Sequence, residues 1–410
     1  MASEPSITVT SDQVIAVAAP AGHTGATAIT QGGFVWVSND GGNTFRLRLD
    51  PNQVDTSSVR PCSCDTDIMS RNGELLALTM YYFVQPFFNV AIAGSTDSGV
   101  TWQTRSTMSA TLPGVDRPWL SPGPGNDLVL TYGSSEIVGG APDSEPLYAF
   151  QDIGLQKSTD SGKTWSPPVL VATADTTHGG GMLPLKTRSI SPSTILVPLV
   201  QGDSSHRDAD IVAVSHDGGQ TFHQIQLAGP HDWYADFDLS LDALPNGRVV
   251  AAWTEPVNGT QRLHVRQSTD SGDTWGPTQV VGMPGTILQP WVALRPDGML
   301  AIAYYGTDLE GSILNMSKDT PWEPRVALFL SNQTAQPSAI ANLSQSAAYH
   351  GILCNKGPAC PDDNFVSPMR EFLSAQWSPN GTLFVAFTDA TERGANNDHG
   401  RITVTSLQVR

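Results

Sequence analysis

"STDSGKTW", residues 158–165, decides how the rest of the chain is read. The octet returns as "SNDGGNTF" at 38–45, "STDSGVTW" at 95–102, "SHDGGQTF" at 215–222 and "STDSGDTW" at 268–275, with a degenerate copy, "SKDTPW", at 317–322. Its Ser and Asp side chains can bond the turn's own backbone, its Gly accepts a dihedral that other residues resist, and its Trp or Phe is an apolar anchor. A turn repeated at such a period marks a repeat architecture.

Between copies runs a constant grammar of short β-type segments. From residue 66 it reads "TDIMSRNG", "ELLALTMYY", "NVAIAGSTDSG" and "TWQTRSTM", four strands per unit. Related units follow, including "VALRPDG/MLAIAYYG/ILNMSKD/WEPRVALFL" in the sixth. First and second strands are joined at Asn72-Gly73, Asn246-Gly247, Asp297-Gly298 and Asn380-Gly381, dipeptides suited to hairpin turns. A four-stranded unit of this kind cannot bury both faces alone, so the units stack radially. The expected fold is all-β, a seven-bladed β-propeller whose blades begin near Ser6, Thr66, Arg117, Pro184, Asp236, Pro290 and Arg370. A six-bladed propeller is the alternative if the first unit is incomplete. The expected organisation is a single domain over residues 1–410 with an insertion at about 332–369, and the last unit lacks an obvious fourth strand.

Composition agrees with a turn-rich globular β protein: hydrophobic residues make up 39 %, charged residues 15 %, with 38 Gly and 30 Pro. A net charge of −17 repels polyanions, so no nucleic-acid partner is expected. No apolar run approaches a membrane span, so no membrane partner is expected either. The opening "MASEPSITVT" shows no basic start or apolar core of a signal peptide. Four cysteines lie in two close groups, Cys62 with Cys64 and Cys354 with Cys360; the even count points to two disulfides, with three pairings open and zinc binding the alternative, and to a secreted, extracellular protein.

The pattern Ser-x-Asp-x-Gly-x-Thr-Trp resembles the Asp box, or BNR repeat, of the sialidase-like β-propellers, and its copies span residues 38–322. Proteins of this resemblance include sialidases, other glycoside hydrolases, seven-bladed polysaccharide lyases such as some ulvan lyases, sorting receptors and photosystem assembly factors. The resemblance therefore implies the fold, and function must come from the site. Sialidases open their first inner strand with an Arg-Ile-Pro motif, whereas "EPSITVTSDQVIAVAAP" here holds no arginine.

With the octets on one side of each blade, the longer loops gather on the other, where such scaffolds carry function. His178, His231 and His350 fall there, as do His23, His206 and His399. "TTHGGGM" sets His178 before three glycines, and "GPHDWYADFD" clusters His231, Trp233, Tyr234, Asp236 and Asp238, the two carboxylates sharing one face of a strand. "AAYHGILC" places His350 within the insertion. Arg117 and Arg370 begin inner strands, with Arg188 close in sequence to another, and a guanidinium fork suits a sugar carboxylate.

These residues define three expectations. A lyase acting beside a uronate uses His231 or His178 as base, with His350 a further catalytic candidate, Tyr234 as acid, and Arg117 or Arg370 to neutralise the carboxylate. Arg188, Asp236, Asp238 and Trp233 complete the substrate contacts. A glycoside hydrolase uses two carboxylates drawn from Asp236, Asp238, Asp116, Glu371 and Asp67. A binding propeller uses neither. The expected partner is an acidic oligosaccharide or polysaccharide, the expected state a monomer. No cofactor is required, although the histidines leave room for a metal ion.

Overall fold

The computed structural model describes residues 4–10, 14–20, 33–49, 60–84, 87–108, 115–123, 127–139, 147–173, 182–202, 207–232, 238–330, 334–353, 372–391 and 400–409. The protein is all-β, a seven-bladed β-propeller of antiparallel sheets, and the described residues include a single helical turn, at Ile313–Asn315. The first blade comprises β1 (Ser6–Val9), β2 (Ile15–Pro20), β3 (Gly33–Ser38) and β4 (Arg46–Leu49). The second runs β5 (Arg60–Arg71), β6 (Glu74–Val84), β7 (Phe87–Ser95) and β8 (Gln103–Met108). The third runs β9 (Val115–Pro122), β10 (Leu128–Gly139), β11 (Leu147–Ser158) and β12 (Val169–Thr173). In the fourth, the innermost strand is broken into β13 (Met182–Pro184) and β14 (Arg188–Ser189), followed by β15 (Ile195–Gly202), β16 (Arg207–Ser215) and β17 (His223–Asp232).

The fifth blade is β18 (Ser240–Ala243), β19 (Val249–Val257), β20 (Thr260–Ser268) and β21 (Gln279–Val280). The sixth is β22 (Thr286–Leu294), β23 (Leu300–Thr307), β24 (Pro321–Phe329) and β25 (Ala339–Asn342), with β26 (Tyr349–His350) pairing the start of β24. The last has three strands among the described residues, β27 (Ser374–Trp377), β28 (Thr382–Asp389) and β29 (Arg401–Gln408). The sheet count selects seven blades over six.

The chain forms two compact units, residues 1–28, 38–45 and 233–410, and residues 29–37 and 46–232. Each has its own apolar core, built from alternate residues of central strands. In the first, Val250, Leu263, Val265, Ile287, Val292, Ile302 and Phe329 pack together. In the second, Leu76, Leu78, Ile92, Leu120, Leu128 and Leu130 do so, with Trp165 of the 158–165 octet packed against them.

All five complete octets connect a third strand to a fourth. In each, Ser Oγ donates to Asp Oδ1, as Ser158 does to Asp160 at 2.8 Å, while the Gly amide donates to that Ser Oγ and the Thr amide and hydroxyl donate to the Asp carboxylate. Both carboxylate oxygens are thereby engaged within the turn, which leaves the repeat a scaffold. These bonds hold Asp40, Asp97, Asp160 and Asp270 at about 2, below the usual carboxylate value, with the Thr44, Thr101, Thr164 and Thr274 bonds the largest cause. The residue before each octet glycine is also left-handed: Gly41, Ser98, Ser161, Gly218 and Ser271 have φ between 60° and 73°.

Two expectations are corrected. The degenerate copy at 317–322 lies between the second and third strands of its blade, so "ILNMSKD" is no strand and β24 starts at Pro321. Pro321 stands where the octet has Gly and lacks the amide hydrogen that would donate to the Ser hydroxyl, so the turn cannot form. Of the four Asx-Gly turns expected between first and second strands, only Asn72-Gly73 has both residues at positive φ, a conformation that Asn258-Gly259 shares between β19 and β20. Gly247, Gly298 and Gly381 instead follow a type I turn, closed by Gly247 N to Leu244 O, Gly298 N to Arg295 O and Gly381 N to Ser378 O at 2.8–3.0 Å.

Candidate functional site

An innermost strand has one edge without a strand partner, and its amides and carbonyls must be satisfied otherwise. Side chains from neighbouring innermost strands do this here. In the second unit Asp67, with no exposed surface, accepts from Leu120 N at 2.8 Å and Ile68 N at 2.9 Å and pairs with Lys186 Nζ. Lys186 also donates to Leu120 O at 3.0 Å and lies over the Trp119 ring, whose Nε1 donates to Pro184 O at 3.0 Å. Burial, helped by Arg188, lowers the Lys186 pKa while Asp67 opposes the shift. In the first unit Ser240 Oγ accepts from Val292 N at 3.0 Å and Asp242 Oδ2 from Leu294 N at 2.8 Å.

Above these ties the innermost strands begin irregularly, and there the polar side chains collect. Register breaks between Thr131 and Gly133 of β10, opposite Arg117-Pro118, and between Leu288 and Trp291 of β22, at Gln289-Pro290. Proline lacks the ladder donor, so each dipeptide makes a bulge that re-aims the residue before it. Arg117 (φ 51°), Gln289 (φ 53°) and Glu4 (φ 52°), which precedes Pro5, are all buried and left-handed. A residue before proline favours extended backbone, so these conformations are strained and point to a site.

Arg117 is the centre of the second unit's cluster. Its amide donates to Asp116 Oδ1 at 2.8 Å, and its Nε lies 3.7 Å from Asp65 Oδ2. Asp65 belongs to a further register break, between Pro61 and Thr66 of β5. A cation and a carboxylate so placed can bind an anionic group and a hydroxyl.

The other sequence candidates are distributed as follows. Arg188 lies half-buried on β14, with Nη1 near Thr187 O at 3.4 Å. His231 lies on β17 in register with Asp208. His350 is exposed on β26, along the outer side of its blade rather than at an innermost strand. Asp238, expected to face a ligand, is instead buried and engaged: Oδ1 accepts from Gln289 N at 2.8 Å, and Oδ2 accepts from the Thr254 hydroxyl. It caps the bulge amide that Pro290 leaves out of the ladder. His178, Trp233, Tyr234, Asp236 and Arg370 lie outside the described residues, as do Cys354, Cys360 and the rest of the insertion from 354 to 369. Among the described residues no three His, Cys, Asp or Glu side chains converge on a metal site, and no helix is long and apolar enough to cross a membrane.

Sequence reasoning missed Asp65, Lys186, Gln289 and Glu4. The signal for two of them was present: Glu4-Pro5, Arg117-Pro118 and Gln289-Pro290 repeat a polar residue before proline where an innermost strand begins.

Strands, octets and strand-start bulges together define a repeat protein of the Asp-box class. Residues 90–389 match the family of the BNR repeat-like domain, and the chain belongs to that family. A sialidase of Micromonospora viridifaciens is 28% identical over 280 residues, which is 62% of this chain and 40% of that protein, so the chain spans about two fifths of that relative. Among solved structures, an ulvan lyase representing a new polysaccharide lyase family superposes with a TM-score of 0.52 at 12% identity, covering 76% of this chain and 79% of the other. An α-L-arabinofuranosidase of Fusarium graminearum with an iminosugar inhibitor gives 0.51 at 16% identity, covering 74% and 88%. These two likenesses concern the fold.

Proposed function

We propose that this protein is a secreted carbohydrate-active enzyme that cleaves glycosidic bonds beside an acidic sugar by β-elimination, without a required cofactor. The observation that carries the reading is Arg117, a buried guanidinium held left-handed in a bulge at the start of an innermost strand. Strain of this kind costs about 1–3 kcal/mol and persists where a side chain has to be aimed. The ulvan lyase fold, solved with a glucuronate-containing ligand, and the sialidase relative support an acidic glycan as substrate.

In this reading Arg117 neutralises the uronate carboxylate, which acidifies the proton on the adjacent carbon. His231 or His178 removes that proton, the electron pair forms the ring double bond, and the glycosidic oxygen leaves with a proton from Tyr234. Hydrolysis by paired carboxylates is less well supported. Asp67 and Asp238 are committed to innermost-strand amides, and Asp116 caps the Arg117 amide.

The test is a panel of acidic polysaccharides assayed for ultraviolet absorbance of an unsaturated uronate and, in parallel, for new reducing ends, with and without chelator. Absorbance that rises with reducing ends and disappears in Arg117→Gln supports the proposal. Reducing ends without absorbance refute elimination, and retention of glycan without any cleavage refutes catalysis.

A further inference from the structure

Asp65 and Asp238 occupy the same place in two blades. Each stands two residues before the side chain that ties the next innermost strand, Asp67 to Leu120 N and Ser240 to Val292 N. Each also faces a left-handed residue before proline, Arg117 or Gln289. At Asp238 both oxygens are used, by Gln289 N and by the Thr254 hydroxyl. At Asp65 neither partner is supplied.

The amide equivalent to Gln289 N is Arg117 N, and it is already capped by Asp116; before Gln289 stands Leu288, which has no acceptor to offer. The residue equivalent to Thr254 follows from register. Ser240 pairs with Ala252 and Asp67 with Leu78, so two residues further along stand Thr254 in one blade and Met80 in the other. Met80 is buried and has no hydroxyl. Asp65 Oδ2 is consequently buried with no hydrogen bond among the described residues, facing Arg117 Nε across 3.7 Å, while the side chain as a whole keeps 18% exposure. A buried carboxylate oxygen without a hydrogen-bond donor is costly, and a position that has lost both of these partners keeps only the long Arg117 ion pair within the scaffold.

We propose that Asp65 is a specificity-determining residue that accepts a hydrogen bond from a sugar hydroxyl next to the anionic group held by Arg117. The assignment rests on the acidic-glycan reading above. It selects ligands in which a hydroxyl neighbours the carboxylate on one ring, as in a uronate. Arg117 supplies the charge complement and Asp65 distinguishes hydroxyl geometry, because a charged acceptor left without its donor penalises a ligand that lacks one.

The experiment measures calorimetric binding of glucuronate and galacturonate tetrasaccharides, and thermal midpoints, for the wild type, Asp65→Ala, Arg117→Gln and Asp238→Ala. Loss of a hydrogen bond to a charged group weakens binding by about 10- to 100-fold. Asp65→Ala is expected to weaken binding to that extent while its thermal midpoint falls clearly less than that of Asp238→Ala, which strips a buried cap and unfolds several degrees lower. If Asp65→Ala binds as tightly as wild type while Arg117→Gln does not, the assignment falls and the acidic-glycan reading stands. A midpoint that falls as far in Asp65→Ala as in Asp238→Ala makes Asp65 structural and overturns the assignment. If the wild type binds neither tetrasaccharide, both fall together.

Discussion

Replacing Asp67 by alanine probes how the innermost strands are held. The carboxylate has no exposed surface and accepts from Leu120 N, Ile68 N and the Lys186 ammonium. Its removal leaves a buried ammonium without its counter-charge and an amide without its acceptor, and breaking a buried pair on one side costs about 3–5 kcal/mol. Unfolding entropy of about 2.1 cal/mol/K per residue gives about 0.86 kcal/mol/K over the 410 residues, so the midpoint should fall by about 4–6 °C. Differential scanning calorimetry of Asp67→Ala, Lys186→Met and the double variant measures this. Removing both ions relieves the unpaired charge, so the double variant should recover at least half of the loss in Asp67→Ala. A fall of less than about 1 °C in Asp67→Ala, or single effects that add within about 0.5 kcal/mol, refutes the argument.

Acidification acts on the octets. Carboxylates held at about 2 in the fold, against an ordinary value of 3.8, bind fewer protons folded than unfolded between those values. Their contribution is full above about pH 4 and is lost as pH falls toward 2, so acid unfolding monitored by circular dichroism should become shallower in octet Asp→Asn variants. Gly99→Ala places a Cβ 2.7 Å from Val37 Cγ2 at φ +79°, and should cost about 1–3 kcal/mol in a denaturant titration. Arg117→Gly removes the left-handed penalty together with the guanidinium, and is expected to keep the thermal midpoint while abolishing binding of acidic glycans.

The blade order was legible because it depends on local chemistry. An octet such as 158–165 carries its turn in its own side chains, and the strands beside it alternate in register with the core. Where the octet loses its glycine, at Pro321, the reading slipped by one strand. The candidate site was less legible because its roles depend on pairing between distant segments. Asp65 and Asp238 look alike in sequence, and only the register of β6 and β19 shows that Met80 stands in one blade where Thr254 stands in the other. Burial likewise commits Asp67 to the scaffold, which no local pattern announces.

Every bond inside an octet spans four residues or fewer, from Ser38 to Gly42 and onward to Ser268 and Gly272. Closing so short a segment takes well under a microsecond, whereas innermost strands must find partners more than fifty residues away, as Asp67 and Leu120 do. The five turns can therefore close first and act as independent nuclei from which outer hairpins grow inward. A chain built this way can mature from its outer turns toward its innermost strands, with the strand-start bulges, which depend on the most distant pairings, forming last.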